Sequence, residues 1–99
     1  MKTHMKHLAK AVAVRHCVTY DEIVGESRVR SIFKPRAMFC HIAYEHLGKS
    51  TTQIGRFLGG RDHTTVIHAR RRAKEFGIDP ALVAEILIDA HNRWRKEHE

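Results

Sequence analysis

No stretch of this 99-residue chain reaches the roughly 18 consecutive apolar residues that a membrane-spanning helix needs. The opening MKTHMKHLAK lacks the apolar core of a secretory signal, so no membrane partner and a cytoplasmic location are expected. Cysteine is nearly absent: Cys17 and Cys40 form no CxxC pair and read as buried free thiols of a reducing compartment. Few β-branched runs occur and nothing alternates cleanly at period two, so strands are not expected. Neither an HExxH frame nor a GxxxxGK[ST] loop is present, which removes zinc-peptidase and P-loop ATPase chemistry and leaves no ATP site in the chain. The acids Asp21, Glu22, Glu45, Asp62 and Glu75 are scattered without metal-binding spacing, so a nucleic-acid enzyme is disfavoured. Repeats, linkers and low-complexity tracts are missing as well.

What the chain has in excess is positive charge. Eighteen Lys and Arg against eleven acids give a net +7 and an isoelectric point near 9.9, which suits a polyanionic partner. Histidine is frequent, yet His63 and His68, like His41 and His46, are five positions apart and share no helical face. His4 and His7 lack a third ligand, so neither a metal nor a cofactor is expected. His16 and Cys17 are adjacent and would point apart on a helix, which argues against a nucleophile–base pair.

Helical periodicity runs through nearly the whole chain, and an all-α single domain over residues 1–99 is expected: a helical bundle containing a helix-turn-helix. The first helix covers about residues 5–16 with Leu8, Ala11 and Val12 on one face. Thr19 and Glu22 form a capping-box pattern that opens a short helix near Tyr20, closed at Gly25. Residues 26–33 read as an exposed basic loop, and Pro35 suits the first turn of a third helix running to about Leu47. Its stripe of Met38 and Ile42 is interrupted at Glu45 or His46. Ser50 caps a short helix, Thr51 to Leu58, anchored by Ile54, Phe57 and Leu58. After Gly59-Gly60 comes a helix from His63 to about Glu75, with Val66, Ala69, Ala73 and Phe76 in one stripe and Gly77 as its stop. Asp79-Pro80 opens a last helix to about Lys96, with Val83, Leu87, Ala90 and Trp94 inward.

The segment Gly59-Gly60-Arg61-Asp62-His63-Thr64-Thr65 carries the function. Glycines allow a tight turn between two helices, and Asp62 is placed as the N-cap of the second. His63, Thr64 and Thr65 then occupy the first helical turn, where a recognition helix presents side chains to base edges. Asp62 is either a cap alone or also an acceptor for cytosine N4. Thr64 and Thr65 are mediocre helix formers, explained by thymine contact or by plain exposure. Arg70, Arg71, Arg72 and Lys74 complement the helix dipole and could also meet phosphates.

GGRDHTTVIHA resembles the signature of the C-terminal DNA-binding domain of the DnaA family, the bacterial chromosomal replication initiators. The resemblance continues upstream through Ser50-Thr-Thr-Gln-Ile-Gly-Arg-Phe-Leu and Arg28-Val-Arg-Ser-Ile-Phe-Lys-Pro-Arg36. It covers about residues 7–76 and is strongest over 19–76. It implies sequence-specific binding of duplex DNA at a short asymmetric site, the DnaA box, in replication initiation or its regulation. By position, Asp62, His63 and Thr64 are similar to the family's base readers in the major groove, with Thr65 beside them. Arg28 corresponds to its minor-groove arginine. Arg36, Arg61 and Arg72 match phosphate-holding positions, the loop's Arg30 and Lys34 join them, and Thr51 and Thr52 match the backbone-contacting start of the first helix.

Departures are visible: Glu26-Ser27 precede Arg28 where the family's loop is more densely basic, Ala37 replaces a polar residue, and Thr52-Gln53 stands where Pro-Glu is usual. Family members carry an ATPase module ahead of this domain. The chain is therefore expected to be an excised domain or a stand-alone reader, the initial Met favouring the latter, and to be nucleoid-associated. The alternatives are a transcriptional regulator using the same reader and a protein-interaction module.

Overall fold

The structure, a computed structural model, describes residues 3–25 and 30–98, and all regular structure in them is helical. The helices are α1 (Met5–Arg15), α2 (Tyr20–Val24), α3 (Arg30–Glu45), α4 (Thr51–Phe57), α5 (His63–Phe76) and α6 (Pro80–His98). None is long and apolar enough to cross a membrane. The expected all-α architecture is the observed one.

Local chemistry sets most boundaries. Thr19 Oγ1 accepts from the Glu22 amide at 3.0 Å while the Glu22 carboxylate accepts from the Thr19 amide at 2.9 Å, so the capping box closes on both sides. Ser50 and Gln53 close a second box at the start of α4. Asp79 accepts from the Ala81 amide at 3.0 Å ahead of Pro80. Gly77, at φ 94°, ends α5.

Residues Arg30 to Phe33 are helical and do not form the expected exposed loop. The cause is tertiary: Ile32 is 1% exposed, and the Phe33 ring meets Phe76 edge-on at 6.1 Å. Burying Ile32 and half-burying Phe33 outweighs the bond to the Ser31 carbonyl that Pro35, now inside the helix, cannot make. At its other end α3 stops at Glu45, and the chain unwinds to Gly48 at φ 67°. Glu45 and His46 are exposed, as the broken stripe anticipates.

The centre of the molecule is α3, whose Phe39, Ile42 and Ala43 are fully buried. Its Phe39 ring stacks on Phe57 at 5.4 Å, tying α4 to it. Helix α1 packs on α3 and α6, and α5 lies across α3 and α4. In α6 the buried set is Val83, Ile86 and Ala90, with Leu87 and Trp94 only half-buried. Phe76, expected inward, is 38% exposed at the rim of α5.

Cys17 is exposed, not buried as expected, while Cys40 is buried. After α1 the Val18 amide reaches back to Ala13 O at 3.0 Å, and Cys17 takes φ 56°, the left-handed position that glycine usually fills. A side chain there projects away from the helix end. Burial pushes the Cys40 thiol up to about 12. A thiol-reactive probe is expected to titrate one cysteine in the native protein and both in denaturant; two fast thiols under native conditions would contradict this packing.

Candidate nucleic-acid interface

The turn between α4 and α5 is built on three glycines. Gly59 and Gly60 have φ 79° and 82°, which L side chains rarely adopt. The amides of Gly60 and Arg61 return to Gly55 O at 3.1 and 2.8 Å. This fold-back places Arg61 O 2.2 Å from where a Cβ on Gly55 would stand. Ile54, Leu58 and Val66, each no more than 1% exposed, close the corner from inside. The result is a helix-turn-helix with α5 as its outer helix.

At the start of α5 a single carboxylate oxygen organises three residues. Asp62 Oδ1 accepts from the Thr64 amide at 2.9 Å and from the Thr64 hydroxyl at 3.0 Å, and His63 Nδ1 stands 3.1 Å away. The Thr64 hydrogen bonds, backbone first, hold the Asp62 carboxyl below its ordinary value, keeping the cap ionised. Asp62, His63, Thr64 and Thr65 are all exposed. Hydrogen-bonding groups thus stand together on a helix N-terminus, which can accept or donate to base edges and attract anions.

Basic residues surround this point unequally. Lys34 and Arg72, far apart in sequence, converge on the Phe76 ring at 5.9 and 5.1 Å, and Arg72 also pairs with Glu75. Thr51 and the exposed Thr52 begin α4 beside a cleft of about 810 Å³. Lys49, Ser50 and Gln53 line one wall of that cleft, Ile67 and Arg70 the other. Arg70 itself lies over the Tyr44 ring at 3.3 Å with Glu45 at 3.4 Å. Arg36 and Arg61 point elsewhere. Both donate to backbone carbonyls at the end of α2, and Arg61 also to Leu58 O. Arg28 lies outside the described residues, as does the side chain of Arg30.

Exposed Thr64, Ile67, His68 and Arg71 fall at i, i+3, i+4 and i+7, opposite the buried Val66, Ala69 and Ala73. Reading the first turn alone misses Ile67 and His68, although the complement of the buried stripe points to them. Lys49, just before the Ser50 cap, also lines the cleft. Among the described residues no group of three His, Cys, Asp or Glu could hold a metal ion.

Residues 5–81 match the family described as the bacterial DnaA protein helix-turn-helix. The chain belongs to that family. The match extends the expected resemblance at both ends. The DnaA chromosomal replication initiator proteins of Roseobacter denitrificans and Bartonella quintana are 31% and 33% identical over 86 residues, and that of Brucella abortus 34% over 88. These alignments cover 87%, 87% and 88% of this chain but only 19%, 17% and 18% of those proteins, less than one-fifth of their length. The family's description names a helix-turn-helix, and α4, the glycine turn and α5 supply one here.

Proposed function

We propose that this chain reads duplex DNA in a sequence-specific way at DnaA-box-like sites, in replication initiation or its regulation, inside the cytoplasm and on the nucleoid. The observation that carries the reading is the exposed Asp62–His63–Thr64 cluster, ordered by one oxygen at the start of α5. Inserted in a major groove, His63 and Thr64 meet base edges and Thr65 a thymine methyl or a phosphate. Lys34, Arg72, Thr51 and Thr52 meet the sugar–phosphate backbone on either side. The family resemblance further assigns Arg28 to the adjacent minor groove and Arg30 to a phosphate.

Selection from random duplexes tests the proposal directly: a short asymmetric consensus should emerge, and recovery of no preferred sequence would refute base reading. On that consensus, His63→Ala and Thr64→Ala should each lower affinity on the order of tenfold while hardly changing binding to random DNA. Asp62 combines two roles that substitution separates. Asp62→Ala removes the cap and lowers stability together with affinity. Asp62→Asn retains a capping oxygen, so its melting temperature should stay near the parent's while base preference shifts at one position. Unchanged preference in Asp62→Asn would reduce this residue to a cap.

A further inference from the structure

Two arginines at positions that the family resemblance gives to phosphates spend their donors inside the protein. Arg61 Nη2 donates to Gly25 O at 2.6 Å, across 36 positions of sequence, and its Nη1 donates to Leu58 O, the cap of α4. Arg36 Nε donates to Ile23 O at 2.8 Å, and its Nη2 to Glu22 O at 2.6 Å and Gly25 O at 3.3 Å. These are carbonyls that the end of a short helix leaves without intrahelical partners. The backbones also touch: a Cβ on Gly59 would stand 3.4 Å from Val24 O. The two guanidiniums stand close together, and burial first and Arg61 second hold Arg36 below its ordinary value. A guanidinium can bridge several carbonyls because its donors are fixed in a planar fork, a geometry lysine lacks.

We propose that Arg61 and Arg36 are positioning residues of the DNA reader and not phosphate ligands, clamping the end of α2 to the helix-turn-helix turn. The clamp makes α2, the turn and the start of α5 one body, and fixes the place of Gly25, from which the chain leads on toward Arg28. The assignment rests on the duplex-reading function, but its first readout needs no DNA. In the free protein, Arg61→Gln and Arg61→Lys should speed amide hydrogen exchange at Ile23 and Gly25 on the order of tenfold, whereas Arg72→Gln should leave these amides unchanged. On duplex DNA both Arg61 variants should bind more weakly, yet keep the parent's slope of log K against log salt. Arg72→Gln should instead flatten that slope by about one unit, the signature of one lost phosphate contact. Unchanged α2 exchange in the Arg61 variants overturns the clamp whether or not the parent binds duplex. A slope flattened by about one unit in Arg61→Gln and preserved in Arg61→Lys overturns it too, since a phosphate contact survives that exchange of cations. A parent that binds no duplex at low salt refutes the DNA reading while the exchange result still decides the clamp.

Discussion

Replacing Gly55 by alanine is expected to destabilise the protein by about 3 kcal/mol, at the top of the range for forcing carbon into a packed site. For a domain of this size that lowers the melting temperature on the order of 15 °C. The direction is informative because helix propensity alone argues the opposite: alanine for glycine inside a helix gains up to about 1 kcal/mol. Here the new Cβ would lie 2.2 Å from the Arg61 carbonyl and 3.5 Å from a Val66 methyl. The obstacle is backbone, so no rotamer change relieves it, and α4 must move away from the turn. That motion would break the bonds from Gly60 and Arg61 to Gly55 O and uncap the start of α5. Gly60→Asn is the matched comparison, because nothing lies within 4 Å of a Cβ there and asparagine tolerates the positive φ. Thermal melts of the two variants decide the matter. A Gly55→Ala protein as stable as the parent would mean that the turn does not close on α4 as described.

Salt is expected to weaken DNA binding steeply. With Arg36 and Arg61 engaged on carbonyls, the described side chains placed for phosphates include Lys34 and Arg72 at the Phe76 rim, Lys49 beside α4, and the exposed Arg56 and Arg71. Four to five such contacts give a slope of about −4 in log K against log salt, so raising salt from about 50 to about 200 mM costs roughly 250-fold in affinity. Removing Arg72 should weaken binding to all sequences by about the same factor and leave base preference alone. A slope near zero would leave the net charge of +7 without a polyanionic partner and sink the DNA reading. A slope steeper than about −6 that flattens by about one unit in Arg61→Gln would return Arg61 to the phosphates.

Both expectations depend on how the helices meet, and this divides what was legible in the chain from what was not. Caps and stops are local, made between residues two to four apart, so they show in the order of side chains. Thr19 with Glu22, Ser50 ahead of α4, Asp62 ahead of α5 and Gly77 behind it all stand where their chemistry puts them. The Asp62–His63–Thr64 cluster is legible for the same reason, being one cap and its first turn.

The start of α3 was not legible, because Pro35 is a strong local signal and its opponent is distant. Phe76, which receives Phe33, is more than forty positions along the chain, and no window around Pro35 contains it. The exposure of Cys17 is hidden in the sequence for a related reason: it follows from the left-handed turn after α1, a position that carries no glycine to announce it. The roles of the arginines depend most on the tertiary structure. Sequence position makes Arg36, Arg61 and Arg72 three equivalent cations around the helix-turn-helix. Packing separates them, since α2 ends where Arg36 and Arg61 can reach its carbonyls, while Arg72 is left at an exposed rim with Glu75 and Phe76. Composition and short-range order by themselves determined that this is a basic, all-helical chain with a capped second helix in its helix-turn-helix. Only the meeting of distant segments decided which of its charges face outward, because a charged side chain takes the nearest partners that the fold supplies, and the partner shared by Arg36 and Arg61, Gly25 O, lies 11 and 36 positions away in sequence.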